Sequence, residues 1–199
     1  MPQRIVLASN NEGKLRELQD MLVGADIAVE PQSAFAVGDV EETGLSFVEN
    51  AIIKARHCAQ RSKLPCIADD SGLEVDALNG APGIHSARYA YTGASDTENL
   101  QKLLDELRET PDEQRNARFR CVLVYMRHAL DPMPLVFDGT WEGRILKTPR
   151  GHNGFGYDPI FFVPSEKCSA AELAPETKNR LSHRGRALRK LVAALQPKT

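Results

Sequence analysis

The stretch Leu64-Pro65-Cys66-Ile67-Ala68-Asp69-Asp70-Ser71-Gly72-Leu73-Glu74-Val75 constrains this chain more than any other. Cys66 to Ala68 is a short apolar run and reads as a buried strand. Two adjacent carboxylates follow it, then Ser-Gly, a turn pair. A second run, Leu73 to Leu78, alternates apolar and acidic residues as a half-buried strand does. Two acids are thus expected at the end of a buried strand. There they would repel each other and be costly to desolvate. A hard divalent cation such as Mg²⁺, bound through oxygen, would relieve both problems. A solvated turn with local hydrogen bonds is the plainer alternative.

The 199 residues are 42% hydrophobic and 26% charged, the composition of an ordinary globular protein. No apolar run approaches the ~20 residues that span a bilayer. The start, Met1-Pro2-Gln3-Arg4-Ile5, lacks a signal-peptide core, so a cytoplasmic protein with no membrane partner is expected. The four cysteines (Cys58, Cys66, Cys121 and Cys168) contain no C-x-x-C pair and predict free thiols in a reducing compartment. Seven of the 25 basic residues lie after position 177, with no acid among them. A chain that tracks nucleic acid carries a broader basic excess. One short basic segment suits a small anion, so no nucleic-acid partner is expected.

Arg4 to Ala8 reads as a strand. It passes through Ser9-Asn10-Asn11-Glu12-Gly13-Lys14 into a helix marked by Leu15, Leu18, Met21 and Leu22. Strand, polar turn and helix start point amides at an anion, and Lys14 adds a mobile charge. This is not a P-loop, because its first glycine and its Mg²⁺-binding hydroxyl are absent. Ile27 to Val29 reads as a second strand and Pro31 to Asp39 as a loop. Glu41 and Glu42 precede a helix with a Ser46/Glu49 capping box. His57 reads as a surface or core-edge residue. Asp96 or Thr97 is expected to cap a helix bearing Leu100, Leu103, Leu104 and Leu107. Strands are expected at Ala117 to Met126, Leu135 to Phe137, Thr140 to Leu146 and Pro159 to Val163, with Asp138-Gly139 as a hairpin turn. Gly151, Gly154 and Gly156 crowd a loop in which Phe155 or Tyr157 could stack on a base. One last helical segment carries Lys178, His183 and Arg184 towards its start. No linker divides the chain, so residues 1–199 are expected to form a single domain.

Six segments, in order, carry a family pattern: Ser9-Asn-Asn-Glu-Gly-Lys14, Glu41-Glu-Thr-Gly44, Ala68-Asp-Asp-Ser-Gly72, Gly80-Ala-Pro-Gly83 with Ser86-Ala-Arg88, Gly154-Phe-Gly-Tyr-Asp158 and Ser182-His-Arg-Gly185. Together they resemble the inosine triphosphate pyrophosphatase family, also called the Ham1 or RdgB family. The resemblance implies an α/β domain on a long curved mixed sheet, with two lobes flanking a central nucleotide cleft. It implies a Mg²⁺-dependent homodimer. It also implies hydrolysis of ITP, dITP and XTP to the monophosphate and pyrophosphate, removing deaminated purines from the nucleotide pool. Carried over, Asp70 would be the general base and a metal ligand, and Glu41 a second ligand, with Glu42 the alternative. Ser9, Asn10, Asn11, Glu12, Gly13, Lys14 and Ser71 would contact the triphosphate and sugar. Phe155, Gly156, Tyr157, Asp158, Lys178, His183 and Arg184 would contact base and phosphates. Two other readings stay open: a nucleotide-binding module without turnover, and a phosphohydrolase that releases orthophosphate.

Overall fold

The computed structural model describes residues 3–22 and 27–195. Met1, Pro2 and Lys198, the last of the seven basic residues after position 177, lie outside them. The first half of the chain runs β1 (Gln3–Leu7), α1 (Glu12–Leu22), β2 (Ile27–Pro31), α2 (Phe47–Ser62), β3 (Cys66–Val75) and α3 (Asp96–Glu106). Four strands follow: β4 (Asn116–Met126), β5 (Leu135–Ile145), β6 (Phe161–Val163) and β7 (Cys168–Ser169). Helices α4 (Pro175–Leu181) and α5 (His183–Leu195) end the chain. The strands form one seven-stranded sheet in the order β2-β1-β3-β4-β5-β6-β7. It is mixed: β1 is parallel to β2 and to β3, whereas β6 is antiparallel to β5 and to β7. This is the expected α/β class.

The described residues group into two compact units. The first runs to Asp70 and adds Cys121–Gly139 and the chain from Arg184 onward; the second comprises Ser71–Arg120 and Thr140–His183. In the first unit, Ile5, Leu7 and Ile67 bury against Leu18 and Leu22 of α1 and Leu188 and Leu191 of α5. A second cluster there seats Ala51, Ala55 and Cys58 of α2 against Val6, Cys66 and Ala68. The second unit packs Leu73 and Val75 with Leu100 and Leu103 of α3 and an aromatic group of Phe119, Trp141, Tyr157 and Phe161.

Local chemistry explains several boundaries. Ser46 caps α2, accepting from the Glu49 amide at 3.4 Å, while the Glu49 carboxylate takes the Ser46 hydroxyl at 2.7 Å. Pro175 begins α4, where its missing N–H costs nothing. Three expectations are corrected. The turn at Asp69-Asp70-Ser71-Gly72 does not form; β3 runs unbroken through it. Asp138-Gly139 is not a hairpin turn but lies inside β5. The cap of α3 is Ser95, in a capping box with Glu98, rather than Asp96 or Thr97. The final helical segment is also broken. Ser182 takes an extended conformation (φ −65°, ψ 159°), ending α4 and starting α5 at His183.

Candidate active site

Because β3 is continuous, its side chains alternate between the faces of the sheet. Asp69 and Asp70 therefore point opposite ways and meet different cations. Asp69, 1% exposed, takes Lys14 Nζ on Oδ1 at 2.6 Å and Arg184 Nε on Oδ2 at 2.7 Å. Arg184, 2% exposed, also pairs with Glu17 of α1. Burial alone would lift the Asp69 carboxyl, but the charges of Arg184 and Lys14 outweigh it and hold it well below the usual range. Asp69 is thus an anchor that fixes two cations.

On the other face, Asp70 Oδ1 lies 2.5 Å from Lys54 Nζ, and Glu42 Oε1 lies 3.1 Å from the same nitrogen. Lys54 also donates to the Asp69 carbonyl at 3.0 Å. Burial raises the Asp70 carboxyl above its ordinary value, against the pull of Lys54. Burial opposes the charge on Lys54, but Asp70 and Glu42 outweigh that and raise it. A carboxylate of raised basicity, held by a fixed ammonium, has the chemistry of a general base. Glu41 is exposed, and its neighbour Glu42 is the acid whose carboxylate reaches Lys54.

The Ser9–Lys14 turn is self-braced. The Ser9 hydroxyl accepts from the Asn11 amide at 3.1 Å, and Asn11 Oδ1 accepts from the Lys14 amide at 2.9 Å. Asn10 donates to Asp39 at 2.8 Å. Glu12 opens α1 and is exposed, Gly13 follows half-buried, and Lys14 reaches from the first turn to Asp69. Ser71 is half-buried in β3.

The second unit holds a different assembly. Asp158 Oδ2 accepts from the Phe155 amide at 2.9 Å and from Lys178 Nζ at 2.7 Å. The same ammonium stands 4.9 Å from the centre of the Phe155 ring. Gly156 donates to Asp96 Oδ2 at 2.7 Å. Gly154 has φ +77°, and a Cβ there would lie 2.0 Å from Asp158 Oδ2, so only glycine lets the carboxylate close over the loop. Tyr157 is buried and donates to the Ser86 carbonyl at 2.8 Å. Of these two rings, Tyr157 is closed off and Phe155 is half-buried. His183 is buried against Phe119, rings nearly parallel at 4.8 Å, with Trp141 at 6.4 Å.

The structure thus joins Lys14, Asp69 and Arg184 in one set, Asp70, Glu42 and Lys54 in another, and Phe155, Asp158 and Lys178 in a third. The sequence motifs leave out Lys54, and they offer Asp96 only as a helix cap. A signal for Lys54 existed: it lies three residues after Ala51 and four before Cys58, on the buried side of α2. Among the described residues, no group of three or more His, Cys, Asp or Glu stands together to hold a metal ion. The Asp70/Glu42 pair is the donor set available. One or two carboxylates completed by substrate phosphates is the usual arrangement for Mg²⁺, so these residues fit a cation that arrives with a polyphosphate.

Residues 5–194 match the Ham1 family. A "dITP/XTP pyrophosphatase" of Vibrio cholerae serotype O1 is 61% identical over 98% of this chain and 97% of its own. One of Escherichia coli O157:H7, with the same description, is 58% identical over 98% of each. Among solved structures, a HAM1 protein from Coxiella burnetii superposes with a TM-score of 0.89 at 54% identity, covering 97% of this chain and 98% of that one.

Proposed function

Since this chain belongs to the Ham1 family, we propose that it hydrolyses the triphosphates of deaminated purines (ITP, dITP and XTP) to the monophosphate and pyrophosphate. The activity named for the relatives above supports the reaction. The observation that carries the assignment of roles is Asp70, a carboxylate of raised basicity held by Lys54 at 2.5 Å beside Glu42. Asp70 accepts the proton of a water that attacks the α-phosphorus, and pyrophosphate leaves. Lys54 fixes the Asp70 carboxylate during the transfer. Lys14, anchored by Asp69, and the amides of the Ser9–Lys14 turn take phosphate oxygens and offset their developing charge. Asp70 and Glu42, with Glu41 alongside, would hold Mg²⁺, which when bound neutralises phosphate charge and polarises the phosphoryl group.

Base selection follows from hydrogen-bond pairing. Hypoxanthine and xanthine carry a carbonyl at C6, where adenine carries an amine. Donors from Arg184, held by Asp69 and Glu17, suit the carbonyl, and a buried donor left unpaired can reject an analogue by ~10⁴-fold. Phe155, backed by Lys178, offers a face to the purine, while Gly156, Tyr157, Asp158 and His183 shape its surroundings. No described helix is long and apolar enough to cross a membrane. The reading places the enzyme in the cytoplasm, with the nucleotide pool. The family match over residues 5–194 suits a single functional domain. A homodimer completes the reading, to be checked by analytical ultracentrifugation.

The test is a panel of ITP, dITP, XTP, GTP and ATP with Mg²⁺, scored for pyrophosphate against orthophosphate. Pyrophosphate from the first three, at rates far above ATP, is expected. Binding without turnover would indicate a sequestering module. Release of orthophosphate would indicate a different phosphohydrolase.

A further inference from the structure

Cys58 and Cys66 form a site of their own, apart from the machinery above. Cys58 is on α2 and Cys66 opens β3; both are fully buried, and their sulfurs stand 2.8 Å apart. Ser62 Oγ lies 3.5 Å from the Cys66 sulfur. Buried thiols are normally inert, small hydrophobic groups. This pair is asymmetric. The hydrogen bond shared with Cys66, together with burial, raises the Cys58 thiol well above its ordinary value. The same contact with Cys58 outweighs burial and lowers Cys66. Cys66 is therefore the sulfur that ionises first, with Cys58 in contact to resolve it. The pair sits under the last turn of α2, which ends at Ser62, and helix ends open more readily than helix centres.

We propose that Cys58 and Cys66 are a two-electron oxidation site that reacts with a hydroperoxide and closes into a disulfide tying α2 to β3. The Cys66 thiolate attacks a peroxide oxygen; the O–O bond breaks, hydroxide leaves, and a sulfenic acid forms. The Cys58 sulfur then attacks the Cys66 sulfur. The S–S bond forms, and the sulfenic oxygen departs as water with the Cys58 proton. The two thiols lose two electrons and hydrogen peroxide is reduced to water. In a reducing compartment such disulfides are transient and sense redox change.

The location couples this chemistry to the candidate base. Cys58 lies four residues after Lys54 on α2, and Cys66 lies four residues before Asp70 on β3. A disulfide needs sulfurs about 2.05 Å apart, so closure from 2.8 Å draws together the two elements that hold Lys54 against Asp70. Misplacement by ~1 Å can cost about 10²-fold in rate. The predicted loss of activity rests on the role proposed for Asp70; the cross-link itself does not.

The experiment treats the full chain with hydrogen peroxide, alkylates the remaining thiols and maps peptides by mass spectrometry, with pyrophosphate release measured in parallel. A Cys58–Cys66 linked peptide is expected, with activity reduced about tenfold or more and restored by dithiothreitol. Cys58→Ala and Cys66→Ala should each keep basal activity and keep it after peroxide; using both guards against one that fails to fold. Absence of the linked peptide, linkage through Cys121 or Cys168 instead, or peroxide inactivation that persists in both variants would overturn the proposal. A cross-link that leaves activity unchanged would overturn its coupling to Asp70. Untreated protein that releases no pyrophosphate would refute the functional reading instead, and the peptide map would still decide the cross-link.

Discussion

The two units handle charge in contrasting ways. In the first, three acids are each matched to a cation on another element: Asp69 to Lys14 and Arg184, and Asp70 and Glu42 to Lys54. In the second, one carboxylate, Asp158, organises backbone and aromatic groups, holding the Phe155 amide and the Lys178 ammonium that faces the Phe155 ring. The first arrangement suits phosphates and proton transfer, where fixed full charges matter most. The second suits a flat, uncharged base, where a ring face and amides give recognition. The difference teaches that full charges and a flat ring call for separate local designs, and each design can be broken without touching the other.

The largest effect is expected from Asp70→Asn, which keeps shape and removes basicity. Turnover should fall by about 10²–10⁴-fold with the fold retained by circular dichroism; activity near wild type would remove Asp70 from the base role. Asp69→Ala should do the reverse, acting first on folding. It leaves the buried Arg184 to Glu17 without its second carboxylate, and breaking a buried pair costs about 3–5 kcal/mol, readable as a lower midpoint in urea. In the second unit, Gly154→Ala meets both a positive φ and Asp158. A strained left-handed residue costs about 1–3 kcal/mol, and KM for ITP should rise more than kcat falls.

A smaller, pH-dependent effect comes from a first-unit carboxylate outside the site. Asp131 accepts from Arg127 at 2.6 and 2.8 Å and from the Met133 amide at 3.1 Å. Its carboxyl lies well below the usual range, chiefly through the Arg127 hydrogen bond. A depressed folded-state pKa stabilises above the unfolded value of about 3.9, and that stability is lost as pH falls below it. Asp131→Asn should therefore melt lower than wild type at pH 7, by about 1–3 kcal/mol. The gap should narrow below pH ~4. The smallest effect is expected at the exposed pair Asp105–Arg108. Arg108→Ala should change stability by less than about 0.5 kcal/mol and leave kinetics alone, which sets the baseline.

Much of this was legible in the residues. Apolar spacing predicted β1, α1, α2 and α3, because each buries one stripe or run. The Ser46/Glu49 box marked the start of α2. The crowd of glycines flagged the Phe155 loop. The misses share a cause. Asp-Asp-Ser-Gly and Asp-Gly favour turns locally, yet both lie inside strands. In β3 the cations that permit it, Lys14, Lys54 and Arg184, come from elements up to 115 residues away. Tertiary partners of that kind leave no mark in a local window. The break at Ser182 was hidden similarly, since the apolar spacing on its two sides is compatible with one continuous helix.

The unbroken run of β3 through its two acids carries an evolutionary consequence. Neighbours along a pleated ribbon face opposite ways, so gaining one amino acid between Cys66 and Asp69 would carry the anchor to the place of the reactive group, and losing one would carry the reactive group in among Lys14 and Arg184. Either way one of the two places is left without its aspartate. Descendants of this chain can vary their side chains there by degrees, but any one-codon insertion or deletion in that interval removes a role at a stroke.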